Sequence, residues 1–190
     1  MPPKAKITRE DVVKTALSLV REKGQEAVNA RSVANALGCS TQPVFSNFSG
    51  MEELFGEVMK AAHTHYLDFL QKEAESGKYP TYKAFGMAYI GFAKEEKALF
   101  KLLFMCDRCG VELPSTMDFD ASVEIIMKTN GVVREVAALM HMEMWVFVHG
   151  IATMVATSFL SLDEELVSQM LSDVYQGIRA KHVGVRSEKE

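Results

Sequence analysis

Residues 30–55 read ARSVANALGCSTQPVFSNFSGMEELF, and no other stretch narrows the possible folds as much. Val33, Ala34 and Leu37 recur at helical spacing, with Asn29 placed to cap the helix that carries them. The pattern stops at Gly38, where a missing Cβ admits the positive φ that a tight turn between helices needs. A new helix is expected near Ser40 and Thr41. Pro43 is tolerable there because the amides of a first helical turn have no intrahelical partner. Val44, Phe45 and Phe48 read as its apolar anchors, and Ser49-Gly50-Met51-Glu52 reads as a capping box that starts a further helix. Two short helices joined by a glycine turn make a helix-turn-helix layout.

The rest of the chain carries the same 3.6-residue period. Thr8 can cap a first helix whose stripe is Val12, Val13, Ala16, Leu17 and Val20, closed by Gly24. The helix after Gly50 keeps its apolar face through Leu54, Val58, Ala62, Tyr66 and Leu70 to about Ser76, before Gly77 and Pro80. Further helices are expected from Pro80 to about Ala93, Lys94 to about Met105, Asp118 to Thr129, and Val132 to Ser161. Ser161-Leu162-Asp163-Glu164 reads as the capping box of the last one. Strand-like alternation is absent. The expectation is an all-α chain of about nine helices, with a three-helix head over residues 1–50 and a larger helical body over 51–190.

Charge divides the chain at the same place. Seven basic residues precede Met51 (Lys4, Lys6, Arg9, Lys14, Arg21, Lys23, Arg31) against four acidic ones, although the whole chain is at −4. A basic head on an acidic body is the asymmetry expected when one end meets phosphate. The first residues, MPPKAKIT, lack the apolar run of an export signal, and three cysteines make no disulfide framework, so a reducing cytoplasm is expected. Met144 to Leu160 is the most apolar stretch, but its histidine, threonines and serine, without basic flanks, fit a buried helix better than a membrane span. No phosphate-cradling glycine loop, nucleophile elbow or HExxH motif is present, so an enzyme is not expected, and neither is a cofactor or a metal.

Several residues stand in register with the tetracycline-repressor (TetR) family of bacterial regulators. They are Lys23-Gly24, Val33-Ala34, Leu37-Gly38, Pro43-Val44-Phe45, Asn47-Phe48 and Glu52-Glu53-Leu54. The run from Met144 to Ala152, with Trp145, His149 and Gly150, also resembles the Trp…His-Gly signature of one ligand-domain branch. The resemblance implies a DNA-binding head, a body that dimerises through its last two helices, and an inducer site in that body. It implies a homodimeric, ligand-responsive repressor of a palindromic operator on double-stranded DNA. The chain departs from the family at Phe45, Asn47 and Met51, where Tyr, His and Lys are frequent. The Phe45 and Met51 departures each remove a possible phosphate contact.

On this layout Ser40, Thr41 and Gln42 would reach the major groove, Gln42 being able to bond an adenine edge bidentately. Lys6, Arg31, Pro43, Ser46 and Asn47 complete the expected DNA surface, and Phe45 either faces phosphate or packs within the head. Tyr66, Phe85, Tyr89, Phe92 and Phe104 are expected around a ligand, with Met105, Met117, Trp145 and His149. The same Met and Phe side chains would equally build ordinary core, and His149 can be a satisfied core histidine. Met144, Phe147, Ile151, Val155 and Phe159 would face Leu166, Met170, Val174 and Ile178 of a second copy, or else close the protomer's own core. Cys106 and Cys109 have the spacing of a metal or redox pair but no second pair, leaving a thiol- or metal-responsive regulator as an alternative. An all-helical interaction module or enzyme without DNA binding is the remaining one.

Overall fold

The computed structural model describes residues 7–105 and 119–183. Lys6, Cys106, Cys109 and Met117 lie outside them. Among the described residues are nine α-helices, one 3-10 turn and no strand, so the chain is all-helical as expected. The helices are α1 (Arg9–Lys23), α2 (Ala30–Ala36), α3 (Gln42–Asn47), α4 (Met51–Glu75), α5 (Thr81–Glu95), α6 (Lys97–Phe104), α7 (Phe119–Asn130), α8 (Arg134–Ala156) and α9 (Glu164–Val183).

Local chemistry explains most of the starts and stops. Thr8 Oγ1 accepts from the Asp11 N–H at 3.1 Å while the Asp11 carboxylate accepts from the Thr8 N–H at 2.9 Å, a reciprocal box that starts α1. Asn29 Oδ1 accepts from the N–H groups of Arg31 and Ser32 and starts α2. At α4 the box is shifted from the expected one. The helix begins at Met51, which puts Glu53, not Glu52, three residues inside the cap position, and Glu53 accepts both the Ser49 N–H (2.7 Å) and its hydroxyl (2.8 Å). At α9 the expected serine is replaced by Asp163, whose carboxylate accepts from the Leu166 N–H at 2.7 Å.

Two breaks fall where no glycine or proline marks them. α8 ends at Ala156 rather than near Ser161, because Ser158 turns left-handed (φ 59°) and the N–H groups of Ser158 and Phe159 bond back to Val155 and Met154. This is a Schellman closure with serine in the position usually given to glycine. Between α5 and α6 the chain turns at Glu96, whose carboxylate is held by Arg21 of α1 and His65 of α4.

The helices form two compact units, and these do not divide the chain at residue 50. The first runs through Leu67 and also takes in α6. In it α1 packs on α2, α3 and α6, burying Val12, Ala16, Val20, Val33, Ala34, Val44 and Phe48. Phe104 of α6 meets Tyr66 edge-on at 5.2 Å. Arg9 ties the layers together by donating to the Asn47 carbonyl at 2.6 Å, pairing with Glu53 at 2.8 Å and lying 4.1 Å over the Phe48 ring. The second unit holds the end of α4, with α5, α7, α8 and α9, and α8 packs against the other three. By length and composition α8 could cross a bilayer; here it is the central helix of this unit. Gly86 of α5 lets the helices approach: a Cβ there would stand 2.9 Å from Leu171 Cδ2 of α9 and 3.5 Å from Val148 of α8.

Candidate functional site

The turn between α2 and α3 is closed by its own backbone. Gly38 has φ 66°, its N–H bonds the Asn35 carbonyl at 3.1 Å, and the Cys39 N–H bonds the Ala34 carbonyl at 3.0 Å. This double closure fixes the angle at which α3 leaves α2. Val44 and Phe48 hold α3 down as buried anchors, whereas Phe45 is 55 % exposed and anchors nothing. Gln42 and Ser46 of α3 are exposed as well, and so are Ser40 and Thr41 just before it. Pro43 sits near the start of α3, as its missing N–H requires, and is half-buried.

Not every expected contact residue is free. Asn47 is half-buried, and its amide donates to the Pro43 carbonyl at 2.8 Å and the Ile7 carbonyl at 3.4 Å, so both of its donors are spent inside the unit. Ser46 Oγ donates to the Gln42 carbonyl, leaving its lone pairs open. Two of the basic residues counted for the head are neutralised internally, Arg9 by Glu53 and Arg21 by Glu96. Burial alone would raise the Glu96 carboxyl, but hydrogen bonds from Arg21 and His65 outweigh it and hold the group ionised. Arg31 is exposed beside the turn and makes no ion pair among the described residues.

The second unit contains a cavity of about 530 Å³ between α5, α7, α8 and α9. Ile125, Met144, Val148 and Leu171 make an apolar wall, and Tyr82, Trp145 and Tyr175 add aromatic surface. The polar groups are few. Tyr82 Oη lies 2.9 Å from His141 Nδ1, and Lys83 Nζ donates to Ser172 Oγ at 2.8 Å. Burial pushes the His141 imidazole below its usual range and the Tyr82 phenol above its own, the nearby Tyr175 adding to the latter. Both groups are therefore neutral at pH 7, joined by one hydrogen bond. An apolar chamber with a few fixed polar groups is the usual form of a small-molecule site.

Of the residues expected around a ligand, Trp145 lines this cavity. Tyr66, Phe104 and Met105 belong to the first unit, and Phe85, Tyr89, Phe92 and His149 are not among the lining residues. His149 is instead packed behind the lining residue Trp145. Its ring stacks on Trp145 (5.2 Å, 8°), its Nδ1 lies 2.9 Å from Tyr89 Oη, and burial keeps it neutral. Tyr82, Lys83, His141, Ser172 and Tyr175 were not anticipated. A signal existed: His141, Met144, Trp145 and Val148 share one face of α8 at i, i+3, i+4 and i+7. It becomes readable only once one knows which face α5 and α9 cover.

The same packing sorts the residues expected between two copies. Met144, Ile151 and Val155 are buried within the protomer, and Ile178 packs on the core cluster around Val123, Ile126 and Met140. Phe147, Met170 and Val174 are half-buried, while Phe159 and Leu166 are exposed. The apolar side chains that α8 leaves open are Leu139, Met142, Val146 and Met154, again at helical spacing.

Taken together, the chain is an all-helical protein with a helix-turn-helix unit and a cavity-bearing unit of four packed helices. This fold is shared over nearly its whole length by solved structures of low sequence identity. A Rhodococcus sp. RHA1 protein of unknown function is similar with a TM-score of 0.69 at 18 % identity, covering 93 % of this chain and 97 % of its own. A candidate transcriptional regulator from Pseudomonas aeruginosa PAO1 is similar with a TM-score of 0.62 at 13 % identity, over 90 % of each chain. No family model and no curated protein matches the chain. Among the described residues no group of three His, Cys, Asp or Glu is placed to hold a metal ion.

Proposed function

We propose that this protein is a cytoplasmic DNA-binding transcriptional regulator, a homodimeric repressor released from its operator by a small molecule. The observation that carries the reading is the α2–α3 turn. It is held at one angle by the Gly38 closure, and it leaves Ser40, Thr41, Gln42, Phe45 and Ser46 exposed beside Arg31, which has no ion pair among the described residues. Such an arrangement fits the docking of a helix-turn-helix, in which the second helix enters the major groove and the first braces on the backbone. The shared fold with a candidate regulator from Pseudomonas aeruginosa is consistent with it.

On this reading Gln42 reads a base edge, Ser40 and Thr41 meet phosphate or a thymine methyl, and Arg31 neutralises phosphate. Two copies would place two such helices in successive major grooves, roughly 34–36 Å apart. The cavity of the second unit would hold the effector, and its occupancy and the DNA affinity would be linked reciprocally. The surface left for a second copy is the open face of α8 with Leu166 and Phe159. No catalytic step is assigned.

A gel shift with the DNA upstream of the chain's own coding sequence tests the proposal. Retardation that weakens steeply with salt supports it, and none at any salt would reject it. Arg31→Ala is expected to weaken binding to all sequences and flatten the salt slope by about one unit. Gln42→Ala is expected to relax base preference at one operator position, at a cost of about 1–3 kcal/mol in discrimination. An unchanged preference would remove Gln42 from the groove.

A further inference from the structure

Lys83 is the one formally charged side chain among the residues that line the cavity, and no Asp or Glu stands with it. Its surroundings are arranged around the ammonium. Ser172 accepts from Nζ at 2.8 Å, and the serine's own proton goes to the Ser168 carbonyl at 3.0 Å, which keeps the hydroxyl oxygen turned toward the lysine. The face of Tyr79 lies 5.1 Å from Nζ on another side. Among the described residues Lys83 has no carboxylate partner. Lys78, five residues earlier, is by contrast paired with Glu164 at 2.6 Å. An ammonium has three donors, and these contacts leave capacity for another acceptor.

We infer that the cavity takes an amphiphilic monoanion: an apolar or aromatic body of drug size carrying one carboxylate, with the carboxylate on Lys83. This inference rests on the effector-cavity reading above. The apolar wall of Ile125, Met144, Val148 and Leu171 receives the body, and Trp145 offers a ring face beside it. Burial holds His141 neutral, and its Nδ1 is already engaged with Tyr82, so it supplies no second positive charge. One cation suits one negative charge and serves a phosphate dianion poorly, and a cationic ligand would meet like charge with no acid to offset it.

The chain's single tryptophan lies in the cavity wall and reports occupancy directly. Its fluorescence is followed while the intact protein is titrated with decanoate, 1-decanol and decylamine, below their aggregation concentrations. Decanoate is expected to bind at least tenfold more tightly than decanol, with decylamine weakest. Lys83→Met is expected to abolish the decanoate preference while decanol binding stays within about twofold, and Lys83→Arg to keep the preference. Equal binding of decanoate and decanol to the unaltered protein would overturn the anion assignment and leave the cavity reading intact. So would a preference for decylamine, or a decanoate preference that survives Lys83→Met. Absence of binding by all three would overturn the inference together with the effector cavity, while the gel shift would still decide DNA binding. Should Lys83→Met fail to fold, as judged by circular dichroism, Lys83→Gln takes its place, and the ligand ranking on the unaltered protein already decides.

Discussion

Arg9 shows how a residue that adds to the basic count of the head becomes a structural clamp. Its guanidinium spans the end of α3, the Phe48 ring and the Glu53 carboxylate, so its charge is spent before DNA could meet it. Glu53 records the other end of the clamp. The Ser49 N–H, the Ser49 hydroxyl and Arg9 hold its carboxyl down to about 2. Because the folded value is depressed, the stabilising contribution is complete above the unfolded carboxyl's ordinary pKa. It is lost as the pH falls from there through about 2. Carboxyl carbon shifts followed by NMR should show Glu53 titrating near 2, and Ser49→Ala should move it up toward the ordinary glutamate range. A Glu53 that titrates normally in the unaltered protein would show that the Ser49 and Arg9 bonds are not formed in solution.

At the level of elements, the caps were largely legible because they depend on neighbours in sequence. Thr8 with Asp11, Asn29 with Ser32, and Gly38 each sit within a few residues of the groups they satisfy. The end of α8 was not legible, since its left-handed residue is Ser158 rather than glycine. A left-handed L-residue costs roughly 1–2 kcal/mol, so Ser158→Gly is expected to stabilise the fold by about 1 kcal/mol in denaturant unfolding. A loss of stability would mean that the Ser158 side chain offsets that strain. Gly86 is the opposite case, a glycine required by packing rather than by its φ. Gly86→Ala would push Leu171 Cδ2 from its place in the cavity wall. The expected result is weaker decanoate binding with the helix content unchanged, and full retention of binding would show that Leu171 moves aside without narrowing the cavity.

For the whole molecule, the open question is what covers the exposed apolar face of α8. Val146 is 59 % exposed, and Leu139, Met142 and Met154 extend the same surface of the helix, with Phe159, 77 % exposed, just beyond its end. Apolar side chains in such number on one helix are unusual on a monomer's surface and suit contact with a second copy. If the proposed homodimer forms through this face, Val146→Glu is expected to shift sedimentation to the monomer. Because the side chain is exposed, unfolding of the monomer itself should change by no more than about 0.5 kcal/mol. A sedimentation profile that does not move would place the interface elsewhere. Met144, Ile151 and Val155 lie on the opposite side of the same helix, and only their burial against the neighbouring helices distinguishes the two stripes.

By itself the sequence determined the helical class, the position of the α2–α3 turn and the anchors Val44 and Phe48. All of these follow from period, capping and backbone freedom over a few residues. Only the tertiary structure decided which faces the long helices bury, that Phe45 stands open and Asn47 is tied inward, and that α6 joins the first unit. It also brought Lys83, His141 and Ser172 to one cavity from three helices that are distant in sequence. The physical reason is range. A cap or a turn is satisfied by its neighbours, whereas α8 is apolar on more than one side, so its local pattern cannot say which side meets α5 and α9 and which is left to solvent or a partner.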